Sequence, residues 1–378
     1  MPDYVKFDGV AAADIVKIDG IEKASIAKAC GTTTPAAGAT RWVIGANHGH
    51  VCYAAASDLT SWTMYDNWSL SGTPGCFDIA AGKDSNGDLI YVLSRDAPAS
   101  ELQRSGTDVT STADWTNIDL GSEGDLDQYR IIWCDDGSTS GVWLCVGRQT
   151  ADKVYRSTDG ASTWSGVDIS GLTGHQSGSG KGIQAMCVGN GVVMMAQEHN
   201  IYYSSNYGTS WTSIQPFSTD EPGESRCLTY TNNSFVLIYG RSGEIRARSC
   251  ADSDVTDWGN EYDMDSDTRN PSGTLADQIM VASAGGRVAH ITTNDKYVSY
   301  FDVSGKTISN IGVHNTNMQA ARKAEDIATD GDGTWVIAAR SGDIWRSTNN
   351  AESWTRIVDG LDGNRNLQGV CCDVLTVI

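Results

Sequence analysis

The side chains best able to do chemistry lie near the beginning of one recurring class of apolar, strand-like segment. They are Asp78, Arg130, Gln184, Arg226, Gln278, Asp326 and Gln368. If these segments converge on a common axis, their first residues form a polar ring around a central channel. Such a ring could hold an ion or a small ligand. A solvated channel mouth explains the same residues more simply, and we favour that interpretation.

Two acidic segments are candidates for a metal site. Residues 84–88 (DSNGD) and 263–267 (DMDSD) place side-chain oxygens at alternating positions, as a hard cation prefers. Neither segment has the glycine and distant glutamate of an EF-hand, and the first is more simply a hairpin turn. The six histidines do not cluster, and no glycine-rich phosphate loop follows a strand. We therefore predict no metal and no cofactor.

The ten cysteines give no metal or redox motif. No CxxC pair occurs, and most of the cysteines lie inside apolar runs such as IQAMCV and VWLCVG. Buried, reduced thiols that act as small hydrophobic residues are the simplest interpretation. A few disulfides formed in an oxidising medium are the alternative.

Tryptophans recur at regular intervals and mark the repeated units that must position the candidate channel residues. The markers are Trp62, Trp115, Trp164, Trp211, Trp258 and Trp354. The first five lie 47 to 53 residues apart, and the last interval of 96 residues is two periods. The missing marker falls near Lys306 and Thr307, so the chain contains seven units.

Each unit predicts one four-stranded antiparallel blade. Before Trp211 the strand-like runs are IQAMCVGN, GVVMMAQEH and NIYYSS, and a short strand follows the tryptophan. The first unit lacks its innermost strand, and residues 367–375 match that strand without a blade of their own. We predict an all-β, seven-bladed β-propeller in which this C-terminal strand completes the first blade and closes the ring.

Three of the tryptophan-closed turns, at 157–164, 204–211 and 347–354, resemble the Asp-box (BNR) repeat, Ser-x-Asp-x-Gly-x-Thr-Trp. The matching residues are Ser157, Asp159 and Trp164, then Ser204, Asn206, Gly208 and Trp211, and finally Ser347, Asn349 and Trp354. Asp or Asn accepts turn amides, Gly adopts positive φ, and Trp packs between sheets. The resemblance implies structural turns on the rim, away from any active site.

Many Asp-box families are sialidases, which makes a glycan-active enzyme an alternative. That resemblance would imply three arginines, a tyrosine paired with a glutamate, an acidic aspartate and an Arg-Ile-Pro motif. No Arg-Ile-Pro occurs, and the nearest string is YRII at residues 129–132. We therefore predict a protein that is not an enzyme.

The N-terminal residues carry an 11-residue repeat, KFDGVAAADIV followed by KIDGIEKASIA. Its recurring positions are Lys6, Asp8, Gly9, Ile15, Lys17, Asp19, Gly20 and Ile26. Asp-Gly is typical of a tight turn. We divide the chain into an arm at 1–31, a linker at 32–40 and the propeller at 41–378.

This repeat resembles short segments of bacteriophage tail and other virion proteins. The resemblance implies a non-enzymatic virion component on the tail or capsid surface. Its arm would dock onto other virion proteins, and its propeller would decorate the particle or bind a host-surface glycan. A bacterial assembly-factor propeller is a further alternative.

The charge of the chain excludes some partners. The formal net charge is −20, which repels nucleic-acid phosphates and anionic lipid headgroups. The first residues do not have the basic and apolar segments of a signal peptide, and no apolar run is long enough to span a bilayer. We expect a protein that is made in the host cytoplasm and carried in the virion.

Overall fold

The structure is a computed structural model that describes most of the propeller and two short segments of the arm. The described residues are 17–18, 21–22, 41–47, 50–66, 75–95, 102–106, 115–118, 120, 130–147, 152–177, 182–197, 200–214, 226–241, 244–264, 279–292, 297–318, 323–361 and 366–373.

Seven four-stranded antiparallel sheets form the blades of a β-propeller, as the sequence predicts. In each blade the strands follow one another from the channel outwards. Blade 1 consists of Leu367–Cys372, Arg41–Ala46, His50–Ala55 and Thr63–Asp66. Blade 2 consists of Cys76–Lys83, Leu89–Arg95, Leu102–Arg104 and Thr116–Ile118. Blade 3 consists of Arg130–Cys134, Val142–Val146, Lys153–Ser157 and Ser165–Asp168.

The other four blades repeat this order. Blade 4 consists of Ala185–Gly189, Val192–Gln197, Asn200–Ser204 and Thr212–Ile214. Blade 5 consists of Arg226–Thr231, Ser234–Arg241, Glu244–Ala251 and Tyr262–Asp263. Blade 6 consists of Ile279–Ala284, Arg287–Thr292, Tyr297–Ser304 and Thr307–Asn315. Blade 7 consists of Ala324–Thr329, Trp335–Ala339, Ile344–Ser347 and Thr355–Val358, with one 3-10 turn at Arg340–Gly342.

The position of a strand in its blade explains its composition. The second strands Val142–Val146 and Trp335–Ala339 are buried along their whole length, because another blade covers each face. Such strands are continuous apolar runs rather than alternating ones. The outermost strand Ser165–Asp168 is largely exposed and polar.

The C-terminal strand closes the ring. Leu367–Cys372 pairs antiparallel with Arg41–Ala46, and Trp42 lies opposite Cys372. The prediction from residues 367–375 is confirmed, although the strand ends at Cys372. Closure gives the inner edge of Arg41–Ala46 a pairing partner.

Seven apolar clusters fill the boundaries between blades, and six of them contain a marker tryptophan. Each marker packs between its own blade and the preceding one, as Trp354 does between blades 6 and 7. The six are Trp62, Trp115, Trp164, Trp211, Trp258 and Trp354. At the boundary between blades 5 and 6, Phe301 and Ile308 of blade 6 fill the space instead.

Blade 6 replaces the tryptophan turn with a tight hairpin. Ser304 pairs with Thr307 across Gly305 and Lys306, and Gly305 has a φ of 58°. Its outermost strand therefore extends over nine residues, Thr307–Asn315. The pairing is interrupted by a bulge opposite Phe301, a common device in edge strands.

The chain divides into two compact units, Met1–Ala37 and Gly38–Ile378. In the first unit Lys17–Ile18 pairs antiparallel with Ile21–Glu22. These two strands flank Asp19 and Gly20, where the sequence predicts a tight turn. Asp19 and Gly20 lie outside the described residues, as do the repeat positions Lys6, Asp8, Gly9, Ile15 and Ile26.

Candidate functional site

A cavity of about 190 Å³ lies where the seven innermost strands converge. Every blade contributes at least one residue to its wall. Three of the lining side chains are charged, namely Asp78, Arg130 and Asp326, and most of the others are apolar. The structure thus brings together three of the residues that the sequence analysis places around a channel.

The carboxylates of this cavity hold the main chain of neighbouring blades. Asp78 Oδ2 of blade 2 accepts a hydrogen bond from the Ile131 amide of blade 3 at 2.9 Å. Asp326 Oδ2 of blade 7 accepts one from the Val370 amide of blade 1 at 2.8 Å. Each carboxylate therefore joins two innermost strands.

Gln368 and Arg130 make equivalent contacts. Gln368 Oε1 of blade 1 accepts a hydrogen bond from the Cys76 amide of blade 2 at 2.8 Å. Arg130 Nε of blade 3 lies 3.5 Å from the Gln184 carbonyl oxygen of blade 4, at the limit of a hydrogen bond. Side-chain to main-chain contacts thus cross four boundaries in succession, from blade 7 through blades 1, 2 and 3 to blade 4.

Burial raises the pKa of both carboxyls in this cavity. Burial raises the pKa of Asp326 to about 7, the charge of Asp78 adds to the rise, and the Arg130 guanidinium opposes it. Burial also raises the pKa of Asp78, again against the effect of Arg130. Both carboxyls therefore bind a proton more readily than a carboxyl in water.

The other predicted channel residues are Gln184, Arg226 and Gln278. Gln184 precedes the innermost strand of blade 4, and its Oε1 is buried without a hydrogen-bond partner among the described residues. Arg226 begins the innermost strand of blade 5. Gln278 lies outside the described residues.

The three tryptophan turns share one hydrogen-bonding scheme. In each turn the serine hydroxyl donates to the Asp or Asn two residues later and accepts the amide four residues later. The distances are 2.8 and 3.1 Å for Ser157, 2.8 and 2.8 Å for Ser204, and 3.0 and 3.1 Å for Ser347. Both residues that follow the Asp or Asn have positive φ, including Ala161 and Ala351. The role of these turns is structural.

An arginine of the preceding blade contacts each of these turns at the same main-chain position. Arg104 Nε donates to the Gly160 carbonyl at 2.7 Å, and Arg156 Nε donates to the Tyr207 carbonyl at 2.8 Å. Arg287 Nη1 donates to the Asn350 carbonyl at 3.4 Å. The tryptophan turns are therefore joints between blades as well as local turns. We call these three contacts the arginine contacts.

The first acidic segment forms a hairpin turn. Asp84 Oδ1 accepts hydrogen bonds from the amides of Asn86 and Asp88 at 2.8 and 2.9 Å. This carboxylate is thus engaged by the main chain. In the second segment Asp263 forms an ion pair with Arg246 at 3.1 Å, and residues 265–267 lie outside the described part. Among the described residues, no group of three or more potential ligands is placed to hold a metal ion.

Blade 5 contains a polar network that the sequence analysis does not anticipate. Tyr239 donates a hydrogen bond to Glu261 Oε2, and Arg246 and Arg248 lie 3.8 and 3.7 Å from the same carboxylate. Tyr239 is only 2% exposed, and burial together with Glu261 raises its pKa. A buried phenol of this kind is a poor nucleophile. These residues are separated in the sequence and meet only in the folded blade, so no sequence motif reveals the network.

Nine cysteines lie in the described part of the chain, and eight of them are buried. Burial raises the pKa of the Cys76 and Cys227 thiols to about 12. Such thiols are inert at neutral pH, since the thiolate is the reactive form. No helix in the described residues is long and apolar enough to cross a membrane.

No known protein-family model matches the chain, and no curated protein matches it. Solved structures match its fold. A protein of unknown function from Desulfotomaculum acetoxidans is 12% identical, with a TM-score of 0.58 over 88% of this chain and 98% of that one. A structure of YCF48 bound to D1 peptide is 16% identical, with a TM-score of 0.53 over 80% of this chain and 88% of that one. At these identities the similarity shows the β-propeller fold.

Proposed function

We propose that the chain is a non-enzymatic structural protein of a phage virion, carried on the tail or the capsid surface. The arm docks onto other virion proteins, and the propeller faces solvent and binds a glycan of the host surface. The observation that carries this proposal is the division of the chain into a repeat-bearing unit, Met1–Ala37, and a closed ring, Gly38–Ile378. The resemblance of the repeat to phage virion segments supports it.

The polar groups of the ring support a structural role. Asp78 and Asp326 hold main-chain amides of neighbouring blades, so their oxygens contribute to closure. The tryptophan turns, which resemble Asp-boxes, serve as joints between blades. The net charge of −20 supports a solvent-facing protein without nucleic-acid or membrane partners, located in the particle after synthesis in the host cytoplasm.

A propeller that assists assembly by binding a partner peptide is the second candidate. The axial cavity of about 190 Å³, with two carboxylates and a guanidinium in its wall, favours this candidate. The structurally similar YCF48 has been solved bound to D1 peptide. Both candidates use the propeller for binding rather than for catalysis.

Deletion of residues 1–31 tests the docking role of the arm. We expect the shortened chain to remain a soluble, folded propeller and to be absent from purified particles. Far-UV circular dichroism checks the fold, and mass spectrometry of the particles measures incorporation. A matched chain with residues 32–40 replaced by a Gly/Ser linker should still be incorporated. Retention of the shortened chain in particles would refute the docking role.

A panel of fluorogenic glycosides tests the glycan-active alternative. We expect no turnover by the full chain and, on a glycan array, binding without hydrolysis. Turnover that disappears in Arg130→Met or Arg226→Met would establish an enzyme and overturn the proposal.

A further inference from the structure

His290 is buried at the one described blade boundary that contains no marker tryptophan. It lies on the second strand of blade 6, opposite Val281 on one side and Ser299 on the other. Val281 packs against the cluster between blades 5 and 6, together with Val288. Because side chains alternate along a strand, His290 faces blade 5 as Val288 does.

The imidazole has no polar partner among the described residues. Only 2% of His290 is exposed, and both ring nitrogens are buried without a hydrogen bond in the described structure. Its aromatic neighbour is Phe301, with ring centroids 6.2 Å apart. An imidazolium at this place would be a charge surrounded by apolar groups, which is strongly unfavourable.

Among the described residues, no charged group offsets the burial of His290. From blade 5 the cluster contains the Cys227 thiol and the partly buried Tyr262 phenol, and its other described members are apolar. Burial raises the pKa of Cys227 to about 12, so this thiol is neutral in acid. From blade 6 the facing residues are Val281, Ser299 and Phe301, none of which carries a charge.

We propose that the boundary between blades 5 and 6 is an acid-sensitive seam, which opens when His290 is protonated. Hydrogen bonds between hydroxyl, amide and main-chain groups, together with an exposed ion pair between Lys306 and Asp257, close this seam at neutral pH. Water must enter the seam to solvate the imidazolium. The device is independent of the proposed virion role.

The direction of the pH dependence follows from burial. Burial lowers the pKa of His290 from 6.5 to about 4 in the closed ring. An open or unfolded seam restores the usual value, so it binds a proton more readily between pH 6.5 and 4. The closed state is therefore fully favoured above pH 6.5. Its closed-to-open equilibrium constant falls by roughly 160-fold as the pH falls to about 4, and by roughly 300-fold in the limit well below pH 4.

Hydrogen exchange of the full chain tests the seam. With exchange times corrected for the intrinsic rate, peptides from residues 279–304 and 234–251 should lose protection at pH 4.5 before those of blades 2 and 3. His290→Leu should keep the seam protected at pH 4.5. The control variant His50→Leu alters a buried histidine of blade 1. It should lose hydrogen-exchange protection at the seam as the parent does.

Two results would contradict the proposal. One is an equal loss of seam protection in His290→Leu and the parent. The other uses the parent alone, so it remains decisive if the variant does not fold. A histidine-labelled NMR titration that gives His290 a pKa of 6 or above would rule out burial as the source of the switch.

Discussion

Two kinds of blade boundary hold this ring together. The boundaries between blades 2 and 3, 3 and 4, and 6 and 7 have a marker tryptophan and an arginine contact. The boundary between blades 5 and 6 has neither in the described residues. Five hydrogen bonds and one ion pair connect its blades instead. The hydrogen bonds join Thr229 to Ser283 at 2.6 Å, Ser283 to the Tyr230 carbonyl at 3.0 Å, Gly286 to Thr231 at 2.8 Å, Asn232 to Val303 at 3.0 Å and Gly305 to Ser234 at 2.9 Å. The ion pair joins Lys306 to Asp257.

This difference shows that the tryptophan turn is one of two ways to join neighbouring blades. It combines a large apolar side chain with a turn carbonyl that an arginine can reach. The tight hairpin of blade 6 has neither the tryptophan nor the turn carbonyl. Hydroxyl and amide side chains of blade 5 form hydrogen bonds with the main chain of that hairpin instead. The apolar cluster persists at both kinds of boundary, so burial is their common requirement.

Removal of the closing strand should have the largest effect. Deletion of residues 367–378 exposes the edge of Arg41–Ala46 and removes the acceptors or donors that blades 2 and 7 use. We expect loss of a cooperative thermal transition, measured by circular dichroism. Deletion of residues 374–378 alone, which spares the strand, should preserve the transition. A cooperative transition in the larger deletion would refute closure by this strand.

Trp354→Ala should cost more than any single hydrogen bond at the other boundary. Trp354 is 6% exposed, and its truncation should reduce the free energy of unfolding by about 3–5 kcal/mol. Thr231→Val, which leaves the Gly286 amide without its acceptor, should cost about 1–3 kcal/mol. Urea denaturation measures both. Equal losses of unfolding free energy in the two variants would contradict a larger contribution from the tryptophan.

Asp326→Asn should change the pH dependence of stability. Because the folded-state pKa of Asp326 is raised to about 7, the parent loses stability as the pH rises towards 7 and through it. The amide oxygen can still accept the Val370 amide, but it does not titrate. The variant should therefore gain stability relative to the parent at pH 8, and gain less at pH 5. The exposed Asp136→Asn is the control, and a pH-independent difference for Asp326→Asn would contradict the assignment.

Loss of one arginine contact should have the smallest effect. Arg156→Met removes the hydrogen bond to the Tyr207 carbonyl and keeps the apolar stem, so we expect a loss of about 1 kcal/mol in urea denaturation. Arg346 occupies the equivalent position before Ser347 of blade 7. Since Arg346 makes no carbonyl contact in the described structure, Arg346→Met should be nearly neutral. Equal losses would show that Arg156 acts only through its stem.

The tryptophan spacing predicts most of the fold because a large side chain recurs at each repeated joint. It also predicts the closing strand, since the first unit lacks what residues 367–372 supply. The arginine contacts cannot be found in the same way, because their acceptors are main-chain carbonyls such as those of Gly160 and Tyr207. The Tyr239 network is equally hidden, since its members are distant in sequence and meet only across strands.

The candidate site is predictable in part. The polar character of Asp78, Arg130 and Asp326 places them at the channel, but their residue types do not reveal which groups they bind. Their main-chain partners depend on the stagger between neighbouring innermost strands. That stagger is set by packing of whole blades, so the joining role of the carboxylates becomes visible only in the folded ring.

The most direct test of the proposed function is whether the arm alone can dock an unrelated protein onto the particle. Residues 1–40 are fused to an unrelated soluble protein, the fusion is produced during particle assembly, and purified particles are quantified by mass spectrometry. We predict that the fusion joins the particle at the same copy number as the full chain. Exclusion of the fusion, together with incorporation of a propeller that lacks residues 1–31, would contradict docking through the arm.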